Sequence, residues 1–400
     1  MMPLAGIRVL DFTQFLSGSY CSMLMGDLGA EVIKIEKPDT GEVYRTYGPL
    51  FIRGESTSFL GVNRNKKSLA LNLKTPEALA IVQALARTSD VVVENYTPGT
   101  MAKLGIDYES LRVVNPALIY ASVSGFGQTG PYRDRGGFDL ILQGMSGLMS
   151  VTGEADGPPA KVGVPITDIG AGLYALIGVL AALIAREKTG RGQQVDASLL
   201  EAGLAFNFFT AINYFADGTK AQRLGSASPQ NAPYQAFKTR NGHITVGTGN
   251  DVIWKRFCDA LGLGHLLQDP RFKDNASRVR RFKDLESEIA PVFESKTTAE
   301  SLALMDKAQV PAGPIYDIGE AVQDEHVRSR GIITEYDHPK AGRVRNIGFP
   351  VKLSESQTGV RQPPPSLGEH TADILRGLGY SDGDIRDLED RRVIRTKGKG

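Results

Sequence analysis

One aspartate stands out for its position in the sequence. Asp168 immediately precedes an apolar run, Ile169 to Ala185, that contains no charged residue and predicts a buried helix. At the start of such a helix, free backbone N–H groups and the positive end of the helix dipole favour an anion. The carboxylate could be a nucleophile, or it could cap the helix, a role for which Thr167 is the rival. Taken alone, the segment favours the cap, because capping aspartates are far more common than nucleophilic ones.

Few other residues have types and spacing that suggest chemistry. A second carboxylate, Asp139, and three lysines near predicted loop edges, Lys37, Lys74 and Lys103, are the remaining candidates, although single lysines are typical of a solvated surface. The 5 histidines are scattered and the 2 cysteines lie far apart, so no metal site or disulfide framework is predicted. The sequence also lacks a serine-hydrolase elbow, a P-loop and an H-E-x-x-H motif.

One glycine-rich stretch matches a cofactor motif only in part. Gly125–Gly130 reads G-x-G-x-x-G after a predicted strand, which is the first half of a dinucleotide-binding fingerprint. Pro131 and the glycine-rich residues after it cannot open the helix that the second half requires. We therefore predict no nicotinamide cofactor.

The overall charge limits the classes of partner. The chain of 400 residues has 46 basic and 45 acidic side chains, which argues against broad binding to nucleic acid or to an anionic membrane. Ile169–Ala185 is at the short limit for a membrane span and contains glycines, so it is interpreted as a core helix. No secretory segment is visible, and we expect a cytoplasmic protein.

Strands alternate with helices in the first half of the sequence. Short apolar runs predict strands at Ile7–Asp11, Glu31–Glu36, Val91–Glu94 and Leu118–Ser122. This alternation predicts an α/β fold with a parallel sheet and helices on both faces. Ligands bind beyond the carboxyl ends of such strands, where Asp11, Asn95 and Ser124 stand.

Many short blocks, in a fixed order, resemble one enzyme family. The blocks are Pro3–Thr13, Gly26–Pro38, Asn63–Ser68, Val93–Tyr96, Pro98–Gly99, Thr167–Asp168, Arg186–Gly192, Val310–Ile315 and Leu367–Thr371. Each block is weak, but together they resemble the class III CoA-transferases, the CaiB/BaiF type that includes formyl-CoA transferase.

The resemblance implies an architecture. A doubly wound, CoA-binding large domain is implied from both chain ends, residues 1–200 and 345–400, with a smaller α+β domain at 225–330. It also implies that two chains interlock as a homodimer. The loop Gly225–Pro233, which is rich in turn residues, stands where family members carry a mobile loop and is the candidate lid.

The resemblance further implies that Asp168 is the nucleophile of a CoA-transferase. The carboxylate would attack the thioester carbonyl of an acyl-CoA, expel CoA thiolate and become a mixed anhydride. The thiolate would then attack the aspartyl carbonyl, releasing the first acid and leaving an aspartyl-CoA thioester for the incoming acid. No permanently bound cofactor is expected, because coenzyme A is part of the substrate.

CoA contacts are implied at matching positions of the sequence. They are Phe15, Leu16, Lys37, Leu71, Asn72, Leu73, Lys74, Asn95, Tyr96, Thr97, Lys103, Gly136, Gly137, Phe138 and Asp139. Two of these depart from the family pattern. Lys37 replaces a frequent arginine, which keeps the charge but loses bidentate geometry, and Leu16 replaces the glutamine of formyl-CoA transferase.

The acid substrate is the least determined property. Arg45–Pro49, Gly54–Thr57 and Ala232–Thr239 look more like the succinyl-CoA:glutarate and related dicarboxylate members than like formyl-CoA transferase. A second substrate carboxylate would want a cation, and Arg45 is the candidate, although a surface ion pair is an equal alternative.

Other activities of the superfamily stay open as alternatives. A formyl-CoA or oxalate-type transferase is the nearest one. A racemase resembling α-methylacyl-CoA racemase would need a histidine where this chain has Phe138. A non-catalytic CoA-binding protein would need an abandoned site, whereas Asp168 and its surroundings are intact.

Overall fold

The computed structural model describes residues 1–397. Seven of the strands given below form its largest sheet. The strands are β1 (Arg8–Asp11), β2 (Glu31–Glu36), β3 (Phe51–Ile52), β4 (Glu55–Ser56), β5 (Lys66–Leu71), β6 (Val91–Glu94), β7 (Ile119–Ser124), β8 (Gln194–Ser198), β9 (Tyr234–Thr239), β10 (Gly242–Gly247), β11 (Ala312–Pro314), β12 (Ile333–His338), β13 (Gly342–Ile347) and β14 (Ile394–Arg395).

Helices connect these strands. They are α1 (Ser17–Asp27), α2 (Thr57–Val62), α3 (Pro76–Arg87), α4 (Thr100–Lys103), α5 (Tyr108–Val114), α6 (Asp139–Met145), α7 (Leu148–Val151), α8 (Ile166–Thr189), α9 (Leu199–Phe206), α10 (Phe208–Asp217), α11 (Asp251–Leu261), α12 (Asn275–Arg280), α13 (Phe282–Glu294), α14 (Thr298–Lys307), α15 (Ile318–Gln323), α16 (Glu325–Ser329), α17 (Thr371–Gly377) and α18 (Asp382–Asp390). Short 3₁₀ turns occur at Val43–Arg45, Gly264–Leu267 and Pro270–Phe272.

The sheet has the strand order β14-β5-β2-β1-β6-β7-β8. Its six longer strands are parallel, and β14 pairs with β5 in the antiparallel direction. The expected α/β fold with a large parallel sheet is confirmed, with the addition of one antiparallel edge strand. The strand order reverses between β1 and β6, and α/β sheets bind ligands at the carboxyl ends of strands that flank such a reversal.

The central strands of the sheet are buried on both faces, and the apolar runs within them reflect this. Along β6, Val91 and Val93 point into one core cluster and Val92 into another, as the two-residue period of a strand requires. The first cluster also contains apolar residues of α1 and α8, and the second contains those of α3, α5, α17 and α18. Helices therefore cover both faces.

The chain forms two compact units. The first comprises Met1–Leu148, Val162–Ile212 and the chain from Arg330 onward, and the second comprises Met149–Lys161 and Asn213–Ser329. Residues 149–161, which the sequence placed in the large domain, thus belong to the second unit. The end of the predicted C-terminal part, residues 398–400, lies outside the described residues.

The second unit has its own antiparallel sheet and core. The hairpin of β9 and β10 turns between Thr239 and Gly242, and β11 pairs with β10. Phe237 and Ile244 of the hairpin pack with Trp254, Phe257 and Phe293 of the helices. The candidate lid, residues 225–233, belongs to this unit, and its role as a lid stays a prediction.

Helix α8 is only half buried, whereas the sequence predicted a buried helix. Its inner face, with Ala175 and Val179, packs in the first core cluster. Its outer face exposes Tyr174 and Ile177, which are 42% and 59% exposed. By length and composition alone α8 could cross a membrane, but its inner face packs against the central sheet and α1. The sequence could not show that one face of this apolar run stays exposed among the described residues 1–397.

Candidate active site

Asp168 lies in the first turn of α8, but it is not the helix cap. The residue that precedes the helix is Pro165, which has no side chain able to accept a hydrogen bond. The capping role falls instead to Asp139, whose Oδ1 accepts hydrogen bonds from the backbone N–H of Thr167 at 2.9 Å and from its hydroxyl at 2.8 Å. Both capping alternatives raised by the sequence, Asp168 and Thr167, are therefore wrong. The Asp168 carboxylate is left for another role.

The environment of Asp168 shifts its ionisation toward neutrality. Burial raises the pKa of Asp168 to about 7, and the negative charge of Asp139 acts in the same direction. Asp139 is fixed by its bonds to Thr167 and by the Gln143 amide, whose Nε2 donates to Oδ2 at 2.7 Å. A carboxylate that is partly excluded from solvent and ionises near pH 7 is typical of a catalytic group.

Asp168 and Asp139 line a cavity of about 440 Å³ at the strand reversal. We call it the Asp168 cavity. Its other lining residues come from the end of β7 and the segments after β1 and β6, from the region of the 3₁₀ turn, and from the starts of α1, α6 and α9: Gln14, Phe15, Ser17, Tyr44, Tyr47, Asn95, Tyr96, Thr97, Val123, Ser124, Gly125, Gly136, Gly137, Phe138, Leu140 and Leu199. None of these described lining residues is basic, so the site offers hydroxyls and amides rather than cations.

A second cavity, of about 770 Å³, adjoins the first. We call it the lysine cavity, because Lys37, Lys74, Lys103 and Arg392 line it. Gln14 and Tyr96 line both cavities, and Gln14 Nε2 donates a hydrogen bond to the Tyr96 hydroxyl at 2.8 Å. An elongated ligand could therefore place an anionic end among the cations and a reactive end at Asp168.

The structure brings nearly all the sequence-predicted contact residues to these two cavities. Phe15, Asn95, Tyr96, Thr97, Gly136, Gly137, Phe138 and Asp139 line the Asp168 cavity. Lys37, Leu71, Asn72, Leu73, Lys74, Tyr96 and Lys103 line the lysine cavity. Leu16 lines neither cavity and instead precedes the first turn of α1.

Arg45 is placed differently from the sequence prediction. Its guanidinium forms a bidentate ion pair with Glu36, at 2.6 and 2.7 Å, donates to the carbonyl of Pro365 and lies over the ring of Phe59. Glu36 is fully buried and Arg45 nearly so. The alternative of an ion pair is thus the one found, in a buried rather than a surface form. The guanidinium is thus paired, and Arg45 does not line the Asp168 cavity.

Asp11, at the end of β1, is also structural. Lys66 Nζ lies 2.8 Å from its Oδ2, and Thr13 and Ser22 donate further hydrogen bonds to it. Burial alone would raise the pKa of Asp11, but Lys34 and Lys66 lower it to about 2. This fully buried network fixes the loop after β1 that carries Gln14 and Phe15 to the cavity.

Among the cavity residues that sequence reasoning missed are Gln14, Tyr44, Tyr47 and Arg392. Burial and the charge of Asp168 raise the pKa of Tyr44, so its hydroxyl keeps its proton. Arg392 follows α18 at the far end of the chain, where no local pattern marks a binding residue. Gln14 lies beside the predicted Phe15, and the position after a strand end was the one signal that could have found it.

The family to which this fold and site belong is established by comparison with known proteins. The family model described as CoA-transferase family III matches residues 4–371, and the chain belongs to this family. Among its relatives, the succinyl-CoA:glutarate CoA-transferase of Mus musculus is 41% identical over 389 residues, covering 97% of this chain and 89% of the relative.

Bacterial relatives agree in sequence and in structure. The succinate–glutarate CoA-transferase of Agrobacterium fabrum is 40% identical, covering 94% of this chain and 96% of the relative. The crystal structure of a CaiB/BaiF family protein from Brucella suis superposes with a TM-score of 0.83 at 36% identity, covering 94% of this chain and 99% of that one.

Proposed function

We propose that the protein is a CoA-transferase that moves CoA between dicarboxylic acids, with succinyl-CoA or another dicarboxylyl-CoA as donor. Several relatives named for succinyl-CoA support this substrate class, among them the glutarate transferases and the succinyl-CoA–D-citramalate CoA-transferase of Chloroflexus aurantiacus, at 37% identity. The observation that carries the mechanism is that the Asp168 carboxylate does not cap its helix and lies partly buried in its cavity.

In the proposed reaction Asp168 exchanges acyl and CoA groups in turn. Its carboxylate attacks the thioester carbonyl, the C–S bond breaks and the thiolate leaves with the electron pair, giving a mixed anhydride. The thiolate then attacks the aspartyl carbonyl, releases the first acid and forms an aspartyl-CoA thioester. The incoming carboxylate attacks this thioester, and the freed thiolate takes up the new acyl group from the resulting anhydride.

The lysine cavity is the proposed site for the phosphate-bearing part of CoA. Lys37, Lys74, Lys103 and Arg392 supply cations, and charge-assisted hydrogen bonds to phosphate are among the strong ones. The junction at Gln14 and Tyr96 would let the pantetheine arm reach Asp168. A substrate carboxylate remote from the thioester would be held by the hydroxyls and amides of the Asp168 cavity, not by Arg45.

We also propose that the active form is an interlocked homodimer. The exposed apolar side chains of α8 and α9 support a second copy that covers them: Leu173, Tyr174, Ile177, Ile184, Leu204 and Phe206. Tyr174 and Phe206 are in ring contact at 6.1 Å, so the two exposed faces adjoin.

Both cysteines are buried free thiols, which fits the proposed cytoplasmic location.

Assembly is tested by dilution. Interlocked chains cannot separate without local unfolding, so a dimeric mass should persist at nanomolar concentration until denaturant is added. Mass photometry beside activity measurements would check this, and a fully active monomer would contradict it.

The function is tested by substituting Asp168. Asp168→Asn keeps the volume of the side chain but removes the anionic nucleophile, so acyl exchange should fall by about 10³-fold or more, while CoA still binds. Exchange of labelled succinate or glutarate into succinyl-CoA measures turnover, and calorimetry measures CoA binding. Comparable rates with formate or acetate as acceptor would overturn the dicarboxylate assignment without touching the nucleophile.

A further inference from the structure

Tyr44 presents a hydroxyl to the Asp168 cavity from a well-packed ring. Phe15 meets this ring edge-on, with the centroids 5.6 Å apart, and the Tyr47 ring lies 5.5 Å away. Tyr44 and Asp168 line the same cavity. The ring is therefore fixed by aromatic neighbours at the wall of the cavity that also contains the nucleophile.

The turn that carries Tyr44 is anchored by buried charges on both sides. The backbone N–H of Tyr44 donates to Glu42 Oε1 at 2.7 Å, and Glu42 pairs with the buried Lys34 at 2.9 Å. The next residue, Arg45, is locked to Glu36 by the bidentate pair. These contacts hold the 3₁₀ turn Val43–Arg45 in place, so Arg45 acts as a positioning residue for its neighbour.

The hydroxyl of Tyr44 and the carboxylate of Asp168 interact through space but form no hydrogen bond with each other. The charge of Asp168 acts on the phenol, which together with burial keeps it protonated at neutral pH. A reacting group bound in this cavity would lie near both the nucleophile and a hydrogen-bond donor.

Two amide side chains that line the cavity already donate hydrogen bonds within the protein. The Asn95 amide donates to the backbone oxygen of Gln14 and to Ser17, and the Gln14 amide donates to Tyr96. With no cation among the described lining residues, a neutral hydroxyl is the kind of donor left for an oxygen that gains negative charge.

We infer that the Tyr44 hydroxyl is a catalytic hydrogen-bond donor to the acyl carbonyl oxygen while Asp168 attacks. This inference rests on the proposed function. As the new C–O bond forms, the carbonyl electron pair moves onto this oxygen, and Tyr44 stabilises it without giving up its proton. When the carbonyl reforms, the C–S bond breaks and the thiolate takes its electron pair. Donors aimed at such an oxygen act mainly in the transition state.

The test is Tyr44→Phe, which removes the hydroxyl and keeps the ring. We expect kcat for acyl exchange to fall about 100-fold, the lower end of the range for loss of such a donor, with the Kd for CoA unchanged. Tyr380→Phe is the matched control, because this ring packs in the second core cluster outside both cavities. Its kcat should stay at the level of the unmodified protein.

Two results would overturn the inference. One is a Tyr44→Phe variant that keeps its kcat within about threefold of the unmodified protein. The other is a fall in kcat matched by an equal loss of CoA affinity, which would make Tyr44 a binding residue. Failure of the proposed function looks different, because Asp168→Asn would then still catalyse exchange.

Discussion

Two aspartates near the carboxyl ends of the sheet strands, one fully and one partly buried, have opposite shifts in pKa. Asp11, at the end of β1, is surrounded by Lys34, Lys66 and hydroxyl donors, and its pKa falls to about 2 despite burial. Asp168, at the start of α8, faces another carboxylate, and burial raises its pKa to about 7. The charges and hydrogen-bond donors around a carboxylate, rather than burial, therefore decide whether it is a structural anchor or a reactive group.

The largest effect should come from breaking the Asp11 network. Lys66→Met removes the lysine 2.8 Å from Asp11 and leaves Lys34 at 3.9 Å as the remaining ammonium, so we expect a loss of about 3–5 kcal/mol in unfolding free energy. The matched control is Lys67→Met. The Lys67 side chain is 38% exposed and pairs with Glu31, so its loss should cost only about 0–1 kcal/mol. Urea unfolding curves measure both, and equal losses would contradict the assigned difference.

At Asp168 we expect the opposite sign: substitution should raise the stability of the folded protein, by less than Lys66→Met lowers it. Its folded pKa of about 7 lies above the ordinary value of 3.8, so the folded protein holds the proton more tightly than the unfolded chain. Ionisation therefore costs stability: the penalty is absent below the ordinary pKa, grows as the pH rises, and is complete above about pH 7. Asp168→Asn removes this penalty, so its melting temperature should exceed that of the unmodified protein at pH 8, and the difference should shrink toward pH 5. A difference that is constant with pH would contradict the raised pKa.

Much of the sheet could be predicted from the sequence, because β1, β2, β6 and β7 each contain β-branched or other apolar residues that are buried. Strand β5 was missed because it begins with two lysines, and the burial of Lys66 depends on Asp11, which is distant in sequence. Strand β8 was not predicted because Gln194–Ser198 is largely polar and leads directly into α9. Strand β14 has two residues and pairs across most of the chain length.

The residues of the candidate site likewise fall into those that could be predicted from the sequence and those that could not. Asp168 and many of the cavity residues could be found, because they follow strand ends or match family blocks. The buried ion pair of Arg45 could not be predicted, because its partner, Glu36, lies on β2 and the pair forms only in the folded chain. Tyr44 was missed because it comes from a three-residue turn whose orientation depends on Glu42, Lys34 and Glu36.

The claim that Asp168 carries the reacting groups is tested most directly by trapping. The protein is incubated with succinyl-CoA and then with hydroxylamine, which converts an activated aspartyl group into a hydroxamate, and the Asp168 peptide is analysed by mass spectrometry. We predict that Asp168 is modified in a manner dependent on acyl-CoA, while Asp139 and the Asp168→Asn variant stay unmodified. An unmodified Asp168 peptide from protein that is turning over, or a hydroxamate at Asp139, would contradict the account.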